Sequence, residues 1–317
     1  MKNRLSLFAA LCGLFVMIAA SAQTVAACRE GLRLCVELIL PSLFPFFVLS
    51  ALLGKLGLPA LLGKRLAPLG QRLFHVSGAG CTAFFIGLMG GYPLGAAYLA
   101  ELAERGQISD REASRLLAFC NNSGPAFFVG ALGAGVFGSV KIGLLLYGVH
   151  AAAALLTGLL FRGNGSASDS AVLPASPLSL SKAIPEAVRQ AVSASLNICG
   201  FVVCFAVFTG LLDANGLLSL LAGHLAVRTG QSLPWCRALL KGFFELGGGI
   251  GALRGLPPTP QNLALAAALM GWGGLSVHFQ TLSLIADRDI KSAPHTAGRL
   301  MSAIWSFLLA YGIGRFL

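Results

Sequence analysis

Of the twelve acidic residues in this chain, only Glu37 and Glu245 fall inside apolar segments. A carboxylate within a membrane-spanning stretch is costly and marks a functional site by default. Each is therefore a candidate to carry a coupling proton or to help bind sodium. Arg33 and Lys241 stand one helical turn away, so an ion pair with those neighbours is the alternative reading. Glu245 abuts Gly247-Gly248-Gly249, a glycine run that interrupts its segment. Three further interruptions bring polar groups: Gly90-Gly91-Tyr92-Pro93, Asn121-Asn122-Ser123-Gly124-Pro125, and Gly271 to His278 with Ser276 inside it and Gln280 just beyond. Amides, hydroxyls and imidazoles both donate and accept. A broken helix adds free N–H groups at one half-helix end, which attract anions or polar oxygens, and free C=O groups at the other, which coordinate a cation. The residues expected to bind a solute are Gly91, Tyr92, Asn121, Asn122, Ser123, Glu245, Gly248, Ser276, His278 and Gln280. Glu37 and Glu245 are the coupling-ion candidates, and His150, alone in mid-span, reads as a packing residue.

The elements that must position these residues follow from composition. The chain has 317 residues, 56% hydrophobic and 11% charged, with a mean hydropathy of +0.79. Soluble domains carry about 25% charged residues, and disorder needs low hydrophobicity with high charge. What remains is an all-α polytopic membrane protein. Its net charge of +11 is strung along the short gaps between apolar runs, the pattern of topology signals, rather than clustered as in a nucleic-acid reader. The eight cysteines include no CxxC pair and read as small buried apolar residues. There is no nucleophile–base spacing, P-loop or zinc spacing, so the expectation is a non-enzyme without metal or cofactor.

Along the chain, a retained first helix is expected over about residues 5–27. A run at 32–53 follows, with Pro41 and Pro45 set to bend or break it. Residues 55–74 read as an interfacial amphipathic helix, and 78–103 as a re-entrant hairpin broken at Gly90-Gly91-Tyr92-Pro93. Ser109 with Glu112 forms a capping box that opens a helix broken at the Asn-Asn-Ser-Gly-Pro string. A clean span covers 142–161, and a Ser/Gly/Pro-rich linker follows. Behind it the plan recurs, with matching breaks at 91 and 248 and at 122 and 274. The expected organisation is an N-terminal transmembrane helix (1–30), a first repeat (31–162), a cytoplasmic linker (163–186) and a second repeat (187–317).

Seven crossings, at about 5–27, 32–53, 116–135, 142–161, 187–212, 262–286 and 296–316, place most of the 23 basic residues on the cytoplasmic side, Arg299 among them. An odd number of crossings separates the start of one repeat from the start of the other, so the halves are inverted. Inverted repeats of discontinuous helices characterise secondary transporters, which bind solute at the repeat interface.

Four strings carry a resemblance: Leu40-Pro41-Ser42-Leu43-Phe44-Pro45-Phe46-Phe47, Gly90-Gly91-Tyr92-Pro93-Leu94-Gly95-Ala96, Leu117-Ala118-Phe119-Cys120-Asn121-Asn122-Ser123-Gly124-Pro125 and Gly274-Leu275-Ser276-Val277-His278. They closely resemble the YlbJ-like sporulation integral membrane proteins, part of the nucleoside-recognition (Gate) domain group, whose fold is similar to the core of concentrative nucleoside transporters. The resemblance implies a cytoplasmic-membrane protein at the forespore envelope with a role in spore cortex formation. The Gln/Asn-Thr-Glu sequence with which nucleoside transporters hold ribose and base has no counterpart at the breaks. The function expected is a secondary transporter or permease of a small polar solute, coupled to a proton or sodium and surrounded by membrane lipid. The alternative is a non-transporting scaffold for spore envelope assembly. Homo-oligomerisation stays open, and nucleic acid is not an expected partner.

Overall fold

Apolar runs punctuated by glycine, proline and asparagine fold into many short helices rather than a few long ones. The computed structural model describes residues 2–163 and 178–316, and every regular element among them is helical. The first half comprises α1 (Lys2–Ala19), α2 (Ser21–Leu34), a π-helical turn (Cys35–Ile39), α3 (Leu40–Lys55), α4 (Leu58–Phe74), α5 (Gly78–Gly90), α6 (Leu94–Glu104), α7 (Asp110–Cys120), a π-helical arm (Phe127–Ala134) and α8 (Val140–Leu160). The second half repeats the order with α9 (Leu180–Ala214), α10 (Leu217–Thr229), α11 (Leu233–Phe244), α12 (Leu246–Gly251), α13 (Pro260–Trp272), α14 (Gly274–Ile285) and α15 (Ala293–Gly314).

Among the described residues, three helices are long and apolar enough to cross a membrane: Val140–Leu160, Leu180–Ala214 and Pro260–Ile285. Two bent pairs reach that length together, Arg4–Ala19 with Ser21–Ile39 and Arg65–Phe74 with Gly78–Gly90. The outer surface is apolar, with Leu5, Phe15, Leu144, Leu196 and Leu300 all exposed, as a lipid-facing surface requires. In each half the two short helices after the amphipathic stretch pack on each other, α5 on α6 and α11 on α12, so both hairpins turn back. The broken helix α13–α14 continues onward instead, over Pro260–Ile285. The fold is an inverted repeat of broken helices and re-entrant hairpins.

Several expectations change in detail. The helix expected over 5–27 ends at Ala19, and the next one leaves at 98°. Ala20 has non-helical backbone angles, and the Thr24 hydroxyl donates to the Met17 and Ala20 carbonyls across the corner. Pro41 and Pro45 do not break their helix. The π-helical turn just before them absorbs the missing donors, and α3 runs on through Pro45. The capping box is half formed: Ser109 Oγ accepts from Glu112 N–H at 3.1 Å, but the Glu112 carboxylate accepts instead from the Ser77 N–H and hydroxyl. It thereby fastens the start of α7 to the start of α5. Of the expected linker at 163–186, residues 164–177 lie outside the described residues, and 180–186 are already the first two turns of α9.

The core of the first half is built on Phe74, Phe84 and Phe119, whose ring centroids lie 5.2–5.7 Å apart. Around them α5 and α6 close on the end of α7. A Cβ on Gly87 would stand 1.7 Å from the Cys120 carbonyl oxygen, and one on Gly95 2.2 Å from it. Glycine is required at both positions by backbone proximity. Gly87→Ala is therefore expected to lower stability by about 1–3 kcal/mol, read as a fall in Tm of the purified protein in detergent. An unchanged Tm would show that the hairpin does not clasp α7 in this way.

Candidate functional site

The four interruptions meet. Gly91, between α5 and α6, has φ +80° and sits so close to the α7 break that a Cβ there would lie 2.7 Å from Gly124 N. Gly274, at the α13–α14 break, has φ +78°, and a Cβ would lie 2.9 Å from Leu246 N in the second hairpin. The two halves join where a Cβ on Gly273 would lie 3.3 Å from the Tyr92 hydroxyl oxygen. Left-handed backbone without a side chain is what allows such approach, and only glycine supplies it freely.

Between these breaks lies a recess. Each break lines it: Gly91 and Tyr92, Ser123 and Gly124, Glu245 to Gly247, and Ser276, Val277 and Gln280. Ile39 and Leu43 beside the π-helical turn, Phe127, and Ile198 and Val202 of α9 form its apolar wall. Of the expected residues, Gly91, Tyr92, Ser123, Glu245, Ser276 and Gln280 thus share one recess.

Glu245 is the one ionisable carboxylate in that lining and is 3% exposed. It ends α11 and caps α12, its two oxygens accepting from Gly247 N–H at 2.8 Å and from Gly248 N–H. The break expected at 247–249 therefore lies at Glu245, and those glycines form the first turn of α12. Gly248 N–H is bound to Glu245, and Gly248 is not among the residues that line the recess. The Glu245–Lys241 pair does not form; Lys241 pairs with Asp213 at 3.2 Å. Among the described residues, the Ser276 hydroxyl (1% exposed) and the Gln280 amide (2% exposed) have no hydrogen-bond partner. Buried polar groups are ordinarily paired, and these two face the recess with bonding capacity to spare.

Other candidates are buried but turned away from the recess. Asn121 donates to Thr281 Oγ1 at 2.8 Å, tying the α7 break to α14. Asn122 donates to Phe119 O at 2.7 Å and accepts from Arg299 at 3.2 Å. His278 packs on Trp272 and His295, with ring centroids at 4.2 and 4.9 Å. None of these three lines the recess, although Asn121 Oδ1 and His278 Nε2 are buried without a hydrogen-bond partner. Glu37 does not line the recess either. It is exposed on the π-helical turn and ion-paired to Arg33 at 2.9 Å, the alternative its spacing allowed. His150 accepts the Ser123 N–H at 3.1 Å, so it partners a free donor of the break.

The group that sequence reasoning misplaced is Arg299. Assigned to the cytoplasmic end of a helix starting near 296, it is fully buried inside α15, which begins at Ala293. Its guanidinium donates to the Tyr92 hydroxyl, the Ala118 carbonyl and Asn122. The usable signal was present: an ionisable residue inside an apolar helix. Tyr92 in turn donates to Met270 O at 2.8 Å, so its hydroxyl bridges the halves behind the recess.

No family model matches the chain. It is 30% identical over 309 residues to the sporulation integral membrane protein YlbJ of Bacillus subtilis (strain 168), an alignment covering 88% of this chain and 75% of that protein. Among solved structures the fold is similar to two doubly substituted forms of the concentrative nucleoside transporter CNTnw in outward-facing states. One has a TM-score of 0.54 at 15% identity, covering 97% of this chain and 83% of that chain. The other has 0.53 at 16% identity, covering 98% and 85%.

The geometry separates framework from lining. Tyr92→Phe deletes a hydroxyl bonded to both Met270 O and Arg299 and should cost about 1–2 kcal/mol. Gln280→Ala deletes an unpartnered amide and should change stability by no more than about 0.5 kcal/mol. Thermal unfolding of both variants in detergent checks this; equal losses would mean that Gln280 is bonded within the fold.

Proposed function

Because the chain belongs to the YlbJ family of sporulation integral membrane proteins, we propose that it is a secondary transporter or permease of a small polar solute, acting in spore cortex formation at the cytoplasmic membrane or forespore envelope. The observation that carries this reading is the recess itself. Four helix breaks from two inverted halves surround one buried carboxylate and two unpartnered polar side chains, opposite an apolar wall. Ligand sites are of this kind, mostly apolar concavities with a few placed polar groups, and in inverted-repeat transporters they lie at the interface of the repeats.

In this reading Glu245, Ser276 and Gln280 contact the solute, with Ser123 beside them. Glu245, pre-oriented by two backbone N–H groups, keeps its remaining lone pairs for a donor on the solute or for a coupling proton or sodium ion. Among the described residues no lysine or arginine lines the recess, so its chemistry suits a neutral or cationic solute and not a phosphorylated one. The likeness to CNTnw supports the fold and leaves the solute to be identified.

Glu245→Gln and Gln280→Ala should each lower solute retention by about tenfold or more in vesicles compared with and without the protein by untargeted mass spectrometry. In the sporulating cell, both variants should cut heat-resistant spore yield at unchanged membrane abundance. Full heat resistance in both would remove the recess from the function. Identical solute profiles, together with spore defects, would favour the scaffold reading instead.

A further inference from the structure

The recess leaves one buried charge unexplained. Arg299 is fully buried, and among the described residues no carboxylate pairs with it. An isolated charge in an apolar interior is untenable, so its compensation must come from elsewhere. It comes from the end of a helix. α7 stops at Cys120, which leaves its last carbonyls outside the helical ladder, and such an end carries roughly half a negative charge.

Three of these last four carbonyls face a nitrogen of a side chain, and the fourth is covered by glycine backbone. His295 Nδ1 lies 3.3 Å from Leu117 O, and Arg299 Nη2 donates to Ala118 O at 3.3 Å. Asn122 takes Phe119 O, and the same Asn122 offers its side-chain oxygen to Arg299. Cys120 O is sealed between Gly87 and Gly95. Gly298 lets α15 press this close, since a Cβ there would lie 2.1 Å from Ala118 O. The ligands gathered around the guanidinium are therefore a backbone carbonyl, an amide oxygen and the Tyr92 hydroxyl. In broken-helix transporters, unwound carbonyls and half-helix C-terminal ends are where a coupling cation is coordinated.

We propose that Arg299 is a resident cation at the end of α7. Its guanidinium permanently fills the place a mobile cation would take, so this break does not take up sodium. The consequence for coupling rests on the transport reading above: among the described residues Glu245 is then the remaining buried acidic group through which an ion could act. The statement about the break itself does not depend on transport.

The test uses the purified full chain in detergent, with Tm as readout, in sodium, potassium or choline chloride at equal ionic strength. Wild-type Tm should agree among the three salts to within about 1 °C. Arg299→Ala should lose about 5–10 °C, and about 20 mM guanidinium chloride should restore at least a third of the loss where equimolar methylammonium does not. Arg299→Lys should lose less than Arg299→Ala. A sodium-specific rise in wild-type Tm that persists in Glu245→Gln would overturn the proposal, as would an Arg299→Ala variant that is fully stable or shows no preference for guanidinium. A sodium effect abolished by Glu245→Gln belongs to the recess and leaves the α7 end closed, as proposed. If Arg299→Ala cannot be recovered folded, the sodium comparison of wild type with Glu245→Gln decides alone. None of these readouts involves solute movement, so failure here and failure of the transport assays are separate results.

Discussion

A helix interrupted inside a bilayer has end groups that water cannot reach, and the fold is arranged around supplying partners for them. At the end of α7 the carbonyls are met by His295, Arg299 and Asn122. At the start of α12 the N–H groups are met by Glu245, and at the α7 break the Ser123 N–H is met by His150. Unsatisfied backbone groups in hydrocarbon cost several kcal/mol each, so these side chains are conditions for having breaks at all. The signs follow from the peptide dipoles: a fixed cation stands at a C-terminal end and a fixed carboxylate at an N-terminal one.

This partition gives polar residues near the breaks distinct meanings. Groups bonded to the protein's own ends, such as Asn121, Asn122, His150 and Tyr92, are committed to the framework. Ser276 and Gln280 are not committed, and they face the recess with the outer side of the Glu245 carboxylate. Polarity alone does not separate the two sets. Hydrogen-bond partnership together with place in the recess lining does, since Asn121 Oδ1 and His150 Nδ1 are also unpartnered but lie outside that lining, and both depend on atoms from helices far apart in sequence.

That dependence explains what was legible beforehand. The order of elements, the two inverted halves and the places of the Gly-Gly-Tyr-Pro, Asn-Asn-Ser-Gly-Pro and Gly-Gly-Leu-Ser breaks all follow from local signals: apolar run length, glycine and proline punctuation, and recurrence of the pattern. The convergence of Gly91, Gly124, Gly273 and Leu246 follows once the breaks sit at similar depth in inverted copies. Other features were illegible because they are pairwise and long-range. Asn122 looks like a ligand residue until Arg299, 177 positions away, is seen to hold it. Glu112 looks like half of a capping box until Ser77 is seen beside it. Glu37 was ambiguous by spacing alone, and its local pair with Arg33 decided it. Arg299 lies in the second turn of α15, and a helix start drawn three residues late turns that buried charge into an end group.

The same bonds limit how the two halves can move. Tyr92 to Met270, Asn121 to Thr281, and Arg299 to Tyr92, Ala118 and Asn122 all cross between the halves on one side of the recess. Separating the halves there would strand several buried polar groups at once, at a cost of about 1–3 kcal/mol for each. The opposite wall is made of Ile39 and Leu43 against Ile198 and Val202. Apolar side chains meeting in a lipid environment give up only dispersion contacts when they slide, because lipid tails are as apolar as the partners they replace. The polar side is therefore the stiff one; the seam where the π-helical turn and α3 meet α9 is apolar at the recess and is tied at the end of α3 by the Lys55–Glu186 ion pair at 3.1 Å and the Leu178 N–H bond to Lys55 O.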